Sequence, residues 1–327
     1  MGVNRESGIV VLLIVLLTAW FSMYTFQAGQ ALQSRIAGIA AFVFFVSIYL
    51  LLGIPRLVEK LREKIDFSRV KVLGLALGLV GVYALYALLV DRFRWTEVAA
   101  CALYLFVPAI LLLGTRPGEE GLALPDVLAL LALCLPLALD WLQLEKVPVE
   151  QGQEVGKILG VIWGVFLFLV VRRLEGVGYT FQLSREDVRQ AGLHFALFAV
   201  FFAIPIAVPT HFAASTQTMK PVAEVVASLI IIAFFIALPE ELLFRGIFHN
   251  LLSKRLKGKP HTALAISALL FGLSHLRSLH HPDWVYMILA TLAGGFYGLT
   301  YMRTGKVTAA AITHWLVDSY WRIFFQS

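Results

Sequence analysis

The sequence predicts an all-α protein, a polytopic transmembrane helical bundle of about 10–11 membrane spans. Two observations carry this. The 327 residues are 59% hydrophobic and 15% charged, with a mean hydropathy of +0.81, whereas a soluble domain has nearer about 25% charged residues. The apolar residues also gather in runs close to the roughly 17–25 residues that cross a bilayer. Short loops rich in Lys and Arg separate them. The net charge of +6 sits mainly in those loops. That is a positive-inside pattern and excludes nucleic acid as the expected partner.

Taken in order, spans are expected near 8–24, 36–54, 73–90, 98–114, 127–142, 158–171, 193–208, 225–252, 262–276, 284–302 and 307–325. The first has a barely positive flank, so it reads as an uncleaved helix rather than a signal peptide. Residues 55–72 hold six Lys/Arg and are expected as a loop. Residues 172–192 hold four, and Lys254, Arg255, Lys257 and Lys259 crowd the next strong turn. All are even-numbered connections. One orientation therefore satisfies them, with the N-terminus cytoplasmic. Cys101 and Cys134 lie in apolar runs and are expected to be unpaired.

A seam falls near residue 172. Residues 1–172 read as an N-terminal transmembrane module with almost no buried charge beyond Asp140 at a span end. Residues 173–327 hold the polar chemistry. Ser184 and Asp187 have the spacing of a capping box that opens a helix. Gly74/Gly78 and Gly294/Gly298 have the small-xxx-small spacing that lets helices approach closely.

Three clusters interrupt the last apolar runs: Pro239-Glu240-Glu241 with Arg245, Phe271 with His275, and His314 with Asp318. Ionisable groups at membrane depth are costly and usually face a cavity or a partner. Glu241 and Arg245 are four residues apart, so they share a helix face and can pair. Glu240 projects about 100° away. Pro239 removes one backbone donor just before the pair. Glu240 and His275 each lie roughly 20 Å along a helix from the same basic turn, at about 1.5 Å per residue. They can therefore face one another. His314 and Asp318 lie one turn apart on one face. Taken singly, each cluster could merely lock helices together. His249, His280, His281 and Asp283 read as peripheral or solvated.

Glu240-Glu241-x-x-x-Arg245, Phe271-x-x-x-His275 and His314-x-x-x-Asp318 together resemble the three motifs of the CPBP intramembrane proteases, the CAAX-processing and bacteriocin-processing family. The resemblance covers roughly 178–327. It implies an intramembrane glutamic endopeptidase that cleaves a membrane-associated peptide or protein near its C-terminus. By motif position Glu240 would be the general base, with Glu241 and Arg245 polarising the site. His275 would hold the water or the oxyanion, and His314 would belong to the oxyanion side. Studied members have Asn where this chain has Asp318, so an amide donor is not available there.

Implied partners are the lipid bilayer and a substrate with a membrane-embedded or lipidated segment. No cofactor is expected. The two Glu and two His keep zinc open as an alternative, although no HExxH run is present. An ion-coupled transporter is the other alternative, since buried acids can relay protons. The expected location is multi-pass, in a bacterial inner membrane.

Overall fold

The computed structural model describes residues 2–27, 31–115, 121–148, 153–210, 214–215, 221–276 and 283–326. The described residues form an all-α membrane bundle of 12 helices. Without water in the bilayer core, backbone groups must pair within their own segment, and helices do this. The helices are α1 Gly2–Gln27, α2 Leu32–Leu51, α3 Pro55–Ile65, α4 Arg69–Leu89, α5 Trp95–Leu113 and α6 Leu124–Ala138. There follow α7 Val155–Val171, α8 Arg185–Ala207, α9 Val222–Arg255, α10 Pro260–Leu273, α11 Trp284–Thr304 and α12 Val307–Phe324.

Each apolar run named above forms a helix. Seven helices are long and apolar enough to cross a membrane: α1, α2, α4, α5, α8, α9 and α11. The helices α6, α7 and α10 are shorter. The 10–11 expected spans thus divide, among the described residues, into seven helices of full length and a remainder that are shorter or less apolar. The 34 residues of α9 rise about 50 Å, well beyond a hydrocarbon core of ~30 Å.

The basic segment 55–72 is not a loop. Most of it is α3, started by Pro55 at its first turn and stopped by Asp66 in the left-handed conformation. Arg62 on α3 donates to the carbonyls of Leu169 (2.7 Å) and Leu174 (3.1 Å). Long-range carbonyl acceptors of this kind cannot be read from local composition.

The chain divides into two compact units, residues 1–119 with 123–175, and 120–122 with 176–327. In the first, buried charge is more extensive than the sequence suggested. Arg172 Nε donates to Asp126 Oδ1 at 2.8 Å, and both side chains are buried. Tyr83 donates to buried Glu97. Arg172 reads as a loop residue because it follows an apolar run, yet its partner lies 46 positions away. Desolvated charges persist in such places only when paired. Asp140 is exposed.

In the second unit the capping box is present. Ser184 Oγ accepts from Asp187 N at 3.1 Å, and Asp187 Oδ2 accepts from Ser184 N at 2.7 Å. Asp187 also pairs with Lys306 at 2.7 Å. That contact and Thr308 Oγ1 donating to Thr180 O at 2.6 Å seat the start of α12. Helix α12 then packs against α8, α9 and α11. Trp315 Nε1 ties it to the carbonyl of Leu229 on α9 at 3.0 Å.

Candidate active site

Helix α9 is not uniform around Pro239-Glu240-Glu241. Residues Ile232–Ala237 and Leu242–His249 are π-helical, with the short α-helical segment Leu238–Glu241 between them. Pro239 cannot donate to the carbonyl four residues back, so the preceding turn widens rather than breaks. Wide turns of this kind are common at functional sites. They change the direction in which Glu240, Glu241 and Arg245 project.

Glu241 is fully buried and accepts twice on one oxygen. Arg245 Nη1 lies 2.9 Å from Glu241 Oε1, and His314 Nδ1 lies 3.0 Å from that same atom. The i,i+4 pair expected from spacing is thus formed, and it is joined to α12. Arg245 Nη2 donates to the carbonyl of Gly294 on α11 at 2.6 Å. The guanidinium lies 4.7 Å from the Phe271 ring centre and 5.3 Å from that of Tyr297. Both rings can stabilise the cation where water cannot.

Gly294 makes this approach possible. A methyl group there would stand 2.9 Å from Arg245 Nη2 and 3.0 Å from the Phe271 ring. At Gly298 it would meet the Leu264 side chain. The Gly294/Gly298 spacing therefore serves close packing. At Gly74 and Gly78 an added methyl would meet nothing within 4 Å, so that pair does not.

The other nitrogen of His314 faces carboxylates as well. Nε2 lies 3.3 Å from Asp318 Oδ2 and 3.9 Å from Glu240 Oε2. The ring form that donates from both nitrogens is the imidazolium. The His314 ring stacks on Tyr297, with centres 4.4 Å apart and planes 14° from parallel. Glu240 and Asp318 keep 34% and 35% of their side-chain surface, while Glu241, Arg245 and His314 keep 2% or less. The site therefore has a buried anchor, Glu241–Arg245, and two accessible acids beside one histidine. Glu240 Oε2 is itself buried and has no hydrogen-bond partner.

His275 lies in the same cavity lining as His314 and Asp318. No hydrogen bond or ion pair joins it to Glu240 among the described residues. Its Nδ1 lies 2.7 Å from the carbonyl of Phe271, one turn back on its own chain. It reaches the cluster through the Phe271 ring, at 4.6 Å between centres, while Phe271 stands edge-on to His314 at 5.6 Å. Position along a helix says nothing about azimuth. His249 is buried against Tyr301 rather than peripheral. Asp283 caps α11 by accepting from Tyr286 N at 3.0 Å. His280 and His281 lie outside the described residues.

A cavity of about 820 Å³ adjoins the cluster. His275, His314, Asp318 and Tyr297 line one part of it, Phe195, Phe198 and Ile232 contribute apolar wall, and Glu224 and Arg322 lie in its lining too. Sequence reasoning missed Tyr297 and read Gly294 only as a packing residue. The available signal was weak: Tyr297 sits beside the small-residue pair, where a large polar aromatic must pack on whatever crosses.

Residues 222–320 match the family model described as type II CAAX prenyl endopeptidase Rce1-like. The segment runs from the start of α9 almost to the end of α12 and contains all six candidate residues. No curated protein and no solved structure matches the chain. The resemblance read from three short motifs thus extends over a continuous segment. That segment indicates a membrane protease with a protein substrate.

Proposed function

We propose that this integral membrane protease is a glutamic endopeptidase that cuts a membrane-associated polypeptide near its C-terminus. Glu240 is the general base in this reading. The observation that carries it is the Glu240 Oε2–His314 Nε2 separation of 3.9 Å, with His314 in the cavity lining and a buried Glu241–Arg245 pair behind it. In this reading Glu240 and His314 hold one water between them, at about 2.8 Å from each, which requires the buried Oε2 to turn toward the cavity. Glu240 takes a proton from that water as its oxygen attacks the substrate carbonyl carbon. The C–N bond then breaks, and the departing amine receives the proton back.

His314 supplies positive charge beside the developing oxyanion. Glu241 holds its far nitrogen and so fixes the ring plane. Asp318 accepts from the same Nε2 that faces Glu240, so it orients and charges the imidazole rather than donating to the oxyanion. His275 lies across the cavity lining, where it can meet substrate. Arg245 already neutralises Glu241, which leaves less reason for a dication in this donor set. This favours hydrolysis without metal.

The basic segment of α3 and the Lys/Arg turns at 172–192 and 253–262 support a cytoplasmic N-terminus. The deciding experiment compares the termini of membrane proteins in cells carrying the wild type or Glu240→Ala. Polypeptides shortened only by the wild type identify the substrates. An unchanged set of termini overturns the reading.

A further inference from the structure

We propose that the Tyr297 hydroxyl on α11 donates a hydrogen bond to the substrate carbonyl oxygen as that oxygen becomes an oxyanion. This rests on the endopeptidase reading and adds a catalytic residue to it. Attack of water on a carbonyl leaves a negatively charged oxygen, and donors already aimed at that position lower the barrier most. Acids crowd this site instead. Glu240, Glu241 and Asp318 lie 3.9, 3.0 and 3.3 Å from nitrogens of His314. A carboxylate repels an oxyanion, so the donor has to come from another side chain.

The side-chain donors in the cavity lining can be taken in turn. Both nitrogens of His314 already face carboxylates, so this ring lends charge. His275 donates from Nδ1 to the carbonyl of Phe271 at 2.7 Å, which in the neutral ring makes Nε2 an acceptor. Ser228 is in the lining but sits twelve residues before Glu240, about 18 Å along α9. Arg322 pairs with Glu224, and Tyr286, Tyr320 and Trp321 have further partners. Tyr297 is left. Its ring lies face to face with His314, with centres 4.4 Å apart, so its hydroxyl is no further from the imidazole than the reach of one phenol ring. A buried tyrosine hydroxyl normally finds a partner. Tyr297 is 1% exposed and lines the cavity, yet among the described residues no hydrogen bond is made by its hydroxyl. That donor is free for whatever enters.

The ring is also held in place. Phe271 stands edge-on to it at 5.8 Å, and the Arg245 guanidinium lies 5.3 Å from its centre. A donor fixed in this way needs no reorganisation when the charge develops. The phenol shares its proton and keeps it. The proton taken from water still passes to Glu240 and then to the departing amine.

The test starts in cells carrying the wild type, Glu240→Ala or Tyr297→Phe, with the termini of membrane proteins compared. A fluorogenic peptide spanning a Glu240-dependent cut is then assayed with full-length protein in lipid nanodiscs. Tyr297→Phe keeps the ring and loses only the hydroxyl. It should lower kcat about 10²–10³-fold, with KM within about threefold of the wild type and an unchanged melting temperature. Tyr297→Leu loses the stack on His314 as well and should also melt earlier. If Tyr297 only packs against His314, Tyr297→Phe turns over like the wild type, and the proposal fails. It also fails if Tyr297→Phe loses turnover only together with thermal stability, or only through KM. If no terminus depends on Glu240, the endopeptidase reading itself falls. Glu240-dependent termini produced at the wild-type rate by Tyr297→Phe leave that reading standing and remove Tyr297 from the chemistry.

Discussion

His314 Nδ1 lies 3.0 Å from Glu241 Oε1, the oxygen that also receives Arg245. One carboxylate oxygen on α9 therefore aligns a guanidinium from its own helix and an imidazole from α12. The two motifs are thereby one unit, and a change to Glu241 is expected to disturb both.

Glu241→Ala and Arg245→Ala should each lose stability as well as activity. Removing one partner of a buried pair leaves the other charged and unpaired, at a cost of about 3–5 kcal/mol. Glu241→Gln should be milder, since its carbonyl still accepts from Arg245. Thermal unfolding in detergent orders these variants. Wild-type melting of Arg245→Ala would contradict the buried-anchor role.

Glu240→Ala should behave in the opposite way. Its side chain is about one-third exposed, and its buried oxygen makes no hydrogen bond, so the variant should insert and melt like the wild type. Loss of a general base should lower turnover at least ~10²-fold. Purified protein with turnover within tenfold of the wild type would remove Glu240 from the chemistry.

Asp318→Asn should retain much of the activity, while His314→Ala should not. Asn keeps a carbonyl oxygen for His314 Nε2 but loses the negative charge. Asp318→Ala should fall between them. Steady-state rates for the three variants separate orientation from charge. An Asp318→Asn as inactive as Glu240→Ala would make the carboxylate a reacting group.

Activity should survive exhaustive chelation. A metal-dependent hydrolase would lose turnover on stripping and regain it with zinc. Elemental analysis alongside turnover checks this. Activity proportional to bound zinc would replace the glutamic mechanism.

Much of this architecture was legible because local rules govern it. Apolar runs of about 20 residues are helices, since a helix pairs its backbone within itself and a barrel strand needs only about 10 residues to cross. The Glu241–Arg245 pair and the Ser184 capping box follow from the helical period alone. Residues 55–72 misled because a basic amphipathic helix and a basic loop have similar composition. Tertiary structure alone decided the rest. Nothing within α12 says that His314 turns one nitrogen to Glu241, 73 positions earlier, and the other to Asp318 and Glu240. Nothing in the apolar run 262–276 says that His275 bonds its own backbone. Nothing in the first unit joins Arg172 to Asp126 by spacing. Periodicity along a helix fixes which residues share a face. Which face meets which depends on how the helices rotate and cross, and that is set by side-chain packing between segments far apart in the chain, such as Arg245 seated over Gly294.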